Sequence, residues 1–372
     1  MINKYKEIIW LGSYPTHYWR RLFCDVEKKR KSKVCFAYFS NYNKNIKHEV
    51  GKIPINSIFL DSVFKILTFF YLINSNPPKL LIIQGYEIFP KFLIILLCRL
   101  KKIPFCFWGD TNFYIVKQQN YFFKKIKRLI LRNLLHSVEK ILYIGKKNKE
   151  FYNWLFGKNV NGKKYYFLPY PTYVNNRFIK KNKQKNKKFK IIYVGRLVKE
   201  KSLNSLLNAL LKLKEKTLKK IEIKIFGNGD QESNLKNLVY INNLGNIVKF
   251  YTSVKSINVY KCFTKANLFI LPSTKEPWGL VINESIYYGV PVLCLSSVGA
   301  AKDLIVNNKN GYLMKTNSPI EISKFLEKII SNGFFKNASN KFFGKNYLEK
   351  KLYSFEHTEN QLVKLVDNYC QK

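Results

Sequence analysis

Paired cysteines are missing from this chain, and so are the cysteine and histidine spacings that hold zinc. The seven cysteines stand singly, mostly within apolar runs, and no CxxC pair occurs. This pattern excludes a disulfide framework and indicates buried thiols in a reducing compartment. RNA-binding signatures and basic-helix heptads are also absent, which argues against a dedicated nucleic-acid-binding protein, so we expect no nucleic-acid partner.

Long uninterrupted apolar runs are missing too. Asp61 and Lys65 interrupt the stretch 57–73, and the stretch 89–100 is too short to span a bilayer. The N-terminus, MINKYKEIIWLG, lacks the apolar core and small-residue cleavage site of a signal peptide. We therefore expect no transmembrane helix and a cytoplasmic location.

Acidic residues are scarce: 23 Asp and Glu stand against 66 Lys and Arg, which gives a formal net charge of +43. Such an excess favours a polyanionic partner, either nucleic acid or anionic lipid. Biased composition explains it equally well, because Lys, Asn, Ile, Phe and Tyr are over-used together, as an AT-rich coding sequence would make them. The charge is spread over both halves of the chain, so no single basic module stands out.

Both halves repeat one pattern, in which short β-rich apolar runs alternate with longer amphipathic segments. This is the pattern of βα units around a parallel sheet. The predicted strands cover residues 8–12, 34–39, 79–84, 104–108 and 140–145 in the first half, and 190–195, 221–227, 246–251, 266–272 and 290–295 in the second. We therefore predict an α/β protein with two doubly wound, Rossmann-like domains.

The boundary between the domains is predicted from the segment KKNKQKNKKFK, which has no apolar period and must remain in solvent. The domains are then residues 1–180 and 190–345, joined by a basic linker, 181–189. The remaining residues, 346–372, form an amphipathic tail that we expect to pack as a helix. Its apolar face is predicted to contain Leu352, Phe355, Leu362, Leu365, Val366 and Tyr369.

Two glutamates follow a predicted buried strand in the second half. Glu276 and Glu284 are eight positions apart, so a helix that starts near Gly279 leaves Glu276 in the loop before it and puts Glu284 in its second turn. The free N–H groups of a helix N-terminus suit a phosphate, and carboxylates suit the vicinal hydroxyls of a sugar. Alternatively, Glu276 only complements the helix dipole and Glu284 is a surface residue.

The surrounding segment, LPSTKEPWGLVINESIYYGVPVLCLSSVGA, resembles the donor-binding signature of the retaining glycosyltransferases of family 4 almost position for position. This family has the GT-B architecture, two Rossmann-like domains that face each other across a cleft. The resemblance implies that Glu284 holds the nucleotide ribose and that Glu276 faces the transferred sugar. It also implies that the backbone N–H groups of Trp278, Gly279 and Leu280 approach the sugar and the phosphates, and that the C-terminal helix packs back toward the first domain.

A second matching segment, YVGRLVKEKS, follows the first strand of the second domain. Gly195 ends that strand, and the resemblance implies that Arg196 and Lys201 lie on the donor diphosphate. An Arg offers a planar fork of donors and a Lys a compact charge, so together they can neutralise a pyrophosphate. The chain departs from the family at Ser202, where relatives have glycine after the lysine.

The nucleobase pocket is predicted from two weaker matches. One is FGNGD, with Gly227 and Asn228, and the other is the segment that contains Thr252, Ser253 and Val254. The glycine spacing of FGNGD falls short of a GxGxxG fingerprint, and an ordinary turn at a strand end explains it as well.

The first domain resembles the family more weakly. Gly12 and Ser13 follow its first strand, where a glycine lets the backbone approach the donor phosphates. Asp110 follows the fourth strand, where relatives often carry a residue that faces the sugar, although it could equally be the N-cap of the next helix. His17 is a candidate acceptor or phosphate contact, or else only a half-exposed residue at a helix start.

These matches imply a glycosyltransferase that uses a nucleotide-diphosphate sugar and needs no cofactor. Because no DxD motif occurs, we expect no metal site. The expected acceptor is a glycan or a lipid-linked molecule, and the basic first domain suggests an anionic membrane surface at the inner face of the cytoplasmic membrane. The alternative is a non-catalytic subunit that binds a sugar nucleotide and recruits a partner.

Overall fold

The computed structural model describes residues 7–29, 34–40, 54–157, 164–172, 188–251, 260, 263–332 and 340–371. Close contacts divide the chain into two compact units. The first unit contains Met1–Pro171 and Tyr353–Lys372, and the second contains Thr172–Leu352. Each unit has its own parallel sheet, as the alternation of strand and helix patterns predicts.

The described residues of the first unit form seven parallel strands. They are β1 (Ile8–Gly12), β2 (Val34–Tyr38), β3 (Ser57–Phe59), β4 (Leu80–Gln84), β5 (Phe105–Trp108), β6 (Lys140–Tyr143) and β7 (Tyr165–Phe167). The helices between them are α1 (His17–Lys29), α2 (Val63–Ser75), α3 (Phe89–Leu100), α4 (Phe113–Lys117), α5 (Tyr121–Leu134) and α6 (Lys146–Phe156). The strand order is β3-β2-β1-β4-β5-β6-β7.

The part of the second unit that the structure describes repeats this design with six parallel strands. They are β8 (Phe189–Val194), β9 (Ile221–Phe226), β10 (Val248–Tyr251), β11 (Leu268–Leu271), β12 (Val292–Leu295) and β13 (Gly311–Met314). Its helices are α7 (Leu203–Leu210), α8 (Glu215–Leu218), α9 (Glu232–Ile241), α10 (Leu280–Tyr287), α11 (Ala301–Leu304), α12 (Pro319–Asn332) and α13 (Gly344–Lys350). The strand order is β10-β9-β8-β11-β12-β13.

The strands are apolar on both faces because helices cover both sides of each sheet. In β1, β2 and β12 every residue is buried. Asp61 and Lys65, which interrupt an apolar stretch of the sequence, lie at the start of α2 and form an exposed ion pair of 2.7 Å. Within the described ranges, every helix is too short or too polar to span a bilayer.

The strand order of each sheet fixes where a ligand can bind. In both units the second and third strands are added on one side of the first strand, and the later strands are added on its other side. The reversal occurs between β1 and β4 in the first unit and between β8 and β11 in the second. Loops that leave the carboxyl ends of such strands diverge and open a crevice, which is where doubly wound sheets bind ligands.

All ten predicted strands are confirmed, with ends that differ by at most two residues. The sequence did not predict β3, β7 and β13, which have three or four residues each and are too short to show a period. The six cysteines in the described ranges are not joined by disulfides, and four of them are buried; Cys262 lies outside those ranges.

The C-terminal tail is two helices and not one. Chain between Lys351 and Ser354 separates α13 from α14 (Phe355–Cys370), which packs on α1 and β1 of the first unit. Leu362, Leu365 and Val366 are buried there, as predicted. The prediction for Leu352 was wrong: it is exposed and has a left-handed φ of 63°, so it breaks the helix. The predicted linker, 181–189, lies mostly outside the described residues.

Candidate functional site

The loop after β8 is held tightly against the end of β9. The Tyr193 hydroxyl donates to the carbonyl of Arg196 at 2.8 Å, and the Leu197 N–H donates to the carbonyl of Asn228 at 2.8 Å. A Cβ atom at Gly227 would lie 1.9 Å from the Gly195 carbonyl oxygen, so only glycine allows this approach. The two glycines predicted to approach the donor are therefore neighbours in space.

Lys201 and Glu276 form a nearly buried ion pair, with 2.5 Å between the Lys Nζ and the Glu Oε2. Lys201 ends a single 3-10 turn, Lys199–Lys201, after β8, whereas Glu276 lies in the loop after β11. The pair thus spans the point where the strand order reverses. Arg196, by contrast, is exposed, and its guanidinium lies 4.0 Å from Glu200.

The departure at Ser202 has a clear structural context. Ser202 has a left-handed φ of 53°, directly between the 3-10 turn and α7. Non-glycine residues are uncommon in this conformation, which explains why glycine suits the position. The serine therefore keeps the backbone path that places Lys201, at some cost in conformational strain.

The loop that carries Glu276 is packed against the loop after β12. The Gly299 N–H donates to the Glu276 carbonyl at 3.2 Å, and the Ala300 N–H donates to the Trp278 carbonyl at 2.9 Å. A Cβ atom at Gly299 would meet the Pro277 carbonyl oxygen at 1.9 Å. A third strand-end loop therefore supports the position of Glu276.

Helix α10 begins directly after this loop, with Gly279 as a left-handed N-cap of φ 90°. The buried indole of Trp278 donates to the Asn283 side chain at 3.1 Å, and that side chain donates to the Thr172 hydroxyl at 2.9 Å. Within the described part of the chain, the N–H groups of Gly279 and Leu280 donate no backbone hydrogen bond. They are available for an anion, as helix N-termini commonly are.

Glu284 lies in the second turn of α10, as the spacing predicts. It is partly exposed, yet burial of its carboxyl raises the pKa from 4.5 to about 7. No other described residue makes a hydrogen bond or ion pair with this carboxylate, which is an energetically poor arrangement unless a ligand completes it. The interpretation of Glu284 as an ordinary surface residue does not account for this burial.

Several predicted positions cannot be compared with the structure. Thr252, Ser253 and Val254 lie outside the described residues, and of His17 only the backbone is described, as the first residue of α1. Asn228 is exposed at the end of β9. The predicted nucleobase pocket and the predicted acceptor contact at His17 stay predictions.

The first unit has a cavity of about 360 Å³ at the carboxyl ends of its central strands, where its own strand order reverses. Ser13 and Asp110 both line it, together with Tyr18, Glu87 and Tyr170. Gly12 lies at the end of β1, where an added Cβ would crowd the Tyr38 ring at 3.1 Å. Residues predicted from two separate strand ends, Ser13 after β1 and Asp110 after β5, thus line one cavity in this unit.

A charged network that the sequence did not predict lies beside this cavity. Lys91 is fully buried, and its ammonium donates to the Ser13 hydroxyl at 2.6 Å, the Gln84 carbonyl at 2.5 Å and the Glu87 carboxylate at 2.9 Å. Burial lowers the pKa of Lys91. Burial raises the pKa of Glu87, but the Lys91 ammonium outweighs this effect, so the pKa lies below its usual value. The only feature of the sequence that could have indicated this network is the single lysine within the apolar run FPKFLIILL.

Asp110 accepts a hydrogen bond from the Tyr170 hydroxyl at 2.8 Å. Burial and this carboxylate hold the pKa of Tyr170 well above its usual range, so the hydroxyl stays a donor. The interpretation of Asp110 as the N-cap of the next helix is wrong, because Asn112 caps α4 by accepting from the Ile115 N–H. Asp110 is therefore oriented by Tyr170 at the cavity wall.

The family of the second unit follows from a comparison with protein-family models. Residues 174–347 match the family described as Glycosyl transferases group 1. The second unit belongs to the group 1 glycosyltransferases. The family resemblance predicted from the signature around Glu276 and Glu284 is thereby confirmed.

Curated relatives match part of the chain. An uncharacterised glycosyltransferase of Methanocaldococcus jannaschii is 30% identical over 146 residues, which are 39% of this chain and 37% of the relative. The Campylobacter jejuni enzyme named GalNAc-alpha-(1->4)-GalNAc-alpha-(1->3)-diNAcBac-PP-undecaprenol alpha-1,4-N-acetyl-D-galactosaminyltransferase is 29% identical over 146 residues, 39% of this chain and 40% of the enzyme. The chain thus spans less than half the length of each.

A solved structure extends the likeness of fold to the whole chain. Anabaena HepE, crystallised in complex with UDP, matches 98% of this chain and 100% of its own with a TM-score of 0.73 and 13% identity. At this identity the likeness is one of fold. The group 1 domain and its partner unit therefore have the predicted GT-B fold class, with a doubly wound parallel sheet in each.

The ion pair in the group 1 domain gives a first prediction. We expect Lys201→Met to destabilise the protein by about 3 to 5 kcal/mol, because it removes the cation that pairs with the nearly buried Glu276 carboxylate. Adding Glu276→Met should recover most of that loss. Urea denaturation measures both, with Lys199→Met on the same turn but exposed as the control. If the double variant loses as much free energy of unfolding as the two single variants together, the interaction between Lys201 and Glu276 is contradicted.

Glu284 gives a second prediction, on stability against pH. Its folded pKa is raised to about 7, so the folded state holds the proton more tightly than the unfolded chain. Burial of Glu284 does not lower the free energy of unfolding below about pH 4.5. The destabilisation grows as the pH rises through about 7, where it reaches about 3 kcal/mol. We therefore expect Glu284→Gln to stabilise the protein at about pH 8 and to have little effect at about pH 5. Equal denaturation midpoints for variant and parent across this range would contradict it.

Proposed function

We propose that this protein is a glycosyltransferase that moves a hexose from a nucleotide-diphosphate sugar to a glycan or lipid-linked acceptor. The proposal is supported above all by the ion pair of Lys201 and Glu276, which joins two strand-end loops beside the open N-terminus of α10. A group 1 family match over the same residues supports it further. The product would enter surface polysaccharide or glycolipid biosynthesis.

The donor diphosphate would lie between the loop after β8 and the start of α10. An ammonium has three N–H donors, and Glu276 accepts only one from Lys201, so donors remain for a phosphate oxygen. The exposed guanidinium of Arg196 and the N–H groups of Gly279 and Leu280 supply further donors. These groups would stabilise the charge that grows on the diphosphate as the glycosidic bond breaks.

The two glutamates would hold hydroxyl groups of the donor. Glu284 would accept the hydroxyls of the ribose, which supplies the partners that its buried carboxylate does not have within the described part of the chain. Glu276 would face the transferred sugar while Lys201 fixes its orientation. Thr252, Ser253 and Val254, with Gly227 and Asn228, would line the nucleobase pocket.

We propose that the transfer retains the anomeric configuration. The bond between the anomeric carbon and the diphosphate oxygen breaks, and that oxygen takes the proton of the acceptor hydroxyl on the same face of the sugar. The acceptor oxygen then bonds to the anomeric carbon from that face. The role of the chain is to position the two substrates and to stabilise the departing charge.

The acceptor would lie at the cavity of the first unit, near Ser13 and Asp110, with His17 as a further contact. We propose that the protein works in the cytoplasm, bound peripherally to the inner face of the membrane. This part is supported by the basic residues of α5, and by the curated Campylobacter relative, whose name describes an undecaprenol-linked acceptor.

Donor binding gives a third prediction, with a matched pair of arginine and lysine variants. Arg196→Ala should weaken binding of a UDP-, GDP- or ADP-sugar by about 1 to 3 kcal/mol, because it removes a charge-assisted contact to the diphosphate. Lys199→Ala, an exposed cation only three positions further on, should leave binding unchanged. Calorimetry with the panel of donors measures both.

The same experiment separates the two functions. Slow hydrolysis of the donor that binds, lost in Arg196→Ala, indicates an enzyme. Binding without hydrolysis and without transfer to any acceptor indicates a non-catalytic subunit. If no donor of the panel binds, the proposed function is wrong.

Turnover in a chelator gives a fourth prediction. We expect donor hydrolysis to continue in EDTA, because Arg196, Lys201 and the start of α10 meet the diphosphate charge that a divalent ion would otherwise neutralise. The measurement compares rates before and after dialysis against EDTA. Loss of activity that manganese or magnesium restores would show that a metal is required.

A further inference from the structure

Three neighbouring helices of the first unit expose a broad apolar surface. Helix α3 packs between α2 and α5, and all three turn large apolar side chains to solvent. The most exposed of them, each 70% to 78% accessible, are Val63, Phe64, Phe89, Leu100, Tyr121 and Leu129. Exposed apolar side chains that cluster on neighbouring helices are typical of a site of contact with a partner or a membrane.

A groove runs along this surface between α3 and α5. It encloses about 640 Å³, within the range of sites that hold small molecules. Its wall is largely apolar and includes Phe92, Phe123, Ile126, Ile130, Leu131 and Leu134. Lys127 also lines the groove, and its ammonium lies 5.8 Å from the centre of the Tyr86 ring.

The groove adjoins the polar cavity of the same unit. Tyr86 lines both, and its ring stacks on Phe107, another wall of the cavity, with 6.1 Å between ring centres. Glu87 and Asp110 line the polar cavity together with Tyr86. The apolar groove and the polar cavity, which is lined by carboxylates and hydroxyls, therefore adjoin at Tyr86.

We propose that the groove between α3 and α5 binds the hydrocarbon chain of the lipid-linked acceptor while the surrounding apolar surface is seated in the bilayer. This rests on the proposed function and deepens it, because it assigns the acceptor to amphipathic lipids. The chain occupies the groove, and the polar head of the lipid reaches the cavity past Tyr86.

The charges around the groove favour a lipid over a second copy of the protein. Helices α3 and α5 contain no acidic residue, whereas α5 alone contains Lys124, Lys125, Lys127, Arg128 and Arg132. Two copies that met at this surface would bring these cations together. An anionic lipid head group beside them is complementary, and aromatic side chains among cations suit the membrane interface.

Photolabelling tests the proposal on the full chain. The probe is an alkyl phosphate that carries a diazirine near the end of its chain, in vesicles of phosphatidylcholine with and without phosphatidylglycerol. After irradiation, mass spectrometry should find the label on peptides of α3 and α5. Label on the second unit, or no label on either helix, would overturn the proposal.

Two matched variants sharpen the test. Ile130→Glu places a carboxylate in the groove wall at a half-exposed position, and it should reduce labelling by about tenfold or more, since hydrocarbon excludes the charge. Tyr240→Glu, an exposed site on α9 of the second unit, should label as the parent does. Equal labelling of the Ile130→Glu variant would overturn the proposal, as would a concentration-dependent dimer that excludes the probe.

Donor binding measured on the same preparation of the parent protein separates this proposal from the proposed function. If the donor panel binds but the lipid probe does not label α3 and α5, the lipid groove fails and the glycosyltransferase stands. If the probe labels the groove but no donor binds, the proposed function fails while the groove remains a lipid site.

Discussion

The buried ion pair between Lys201 and Glu276 is the contact on which the candidate site depends. In a doubly wound sheet, loops diverge where the strand order reverses, so the topology alone does not bring their side chains into contact. The 2.5 Å contact between these two residues ties the loop after β8 to the loop after β11. The close approaches at Gly227 and Gly299 then hold the neighbouring strand-end loops against this pair. A buried pair is weak evidence for added stability, and its value here is to fix geometry.

The first unit satisfies the same constraint with different residues. There the loop after β1 provides Ser13, the loop after β4 provides Glu87, and the buried ammonium of Lys91 on α3 connects them. Each unit thus has a lysine and a glutamate joined at its reversal point, although the two segments share no motif. The lysine comes from a short turn in one unit and from a helix in the other. We infer that the common feature arises from the topology, which leaves polar strand-end loops to be tied together.

The sequence predicted what depends on local periodicity and on a matched motif. Buried strands such as β1 and β8 were found because helices on both faces demand continuous apolar runs. Glu284 was placed in the second turn of α10 because helical geometry fixes that spacing. The sequence did not predict which residues these side chains contact. Neither the Lys201–Glu276 pair nor the Lys91 network follows from spacing along the chain, because each joins segments that only the strand order brings together. The prediction that Leu352 is buried was wrong for a related reason, because a periodic apolar pattern does not reveal a single residue with a left-handed backbone.

The first unit is formed by two segments that lie on either side of the second unit in the sequence. Helix α14 follows the whole second unit in the sequence, yet it packs on α1 and β1, which precede that unit. The second unit lies wholly between them in the sequence, so the ribosome finishes it while the first unit still lacks one of its helices. Synthesis of the first unit therefore begins before that of the second unit, but the first unit can be completed only after the second. A premature stop between the second unit and α14 would therefore remove a helix from the unit that was begun earlier and none from the unit that was begun later.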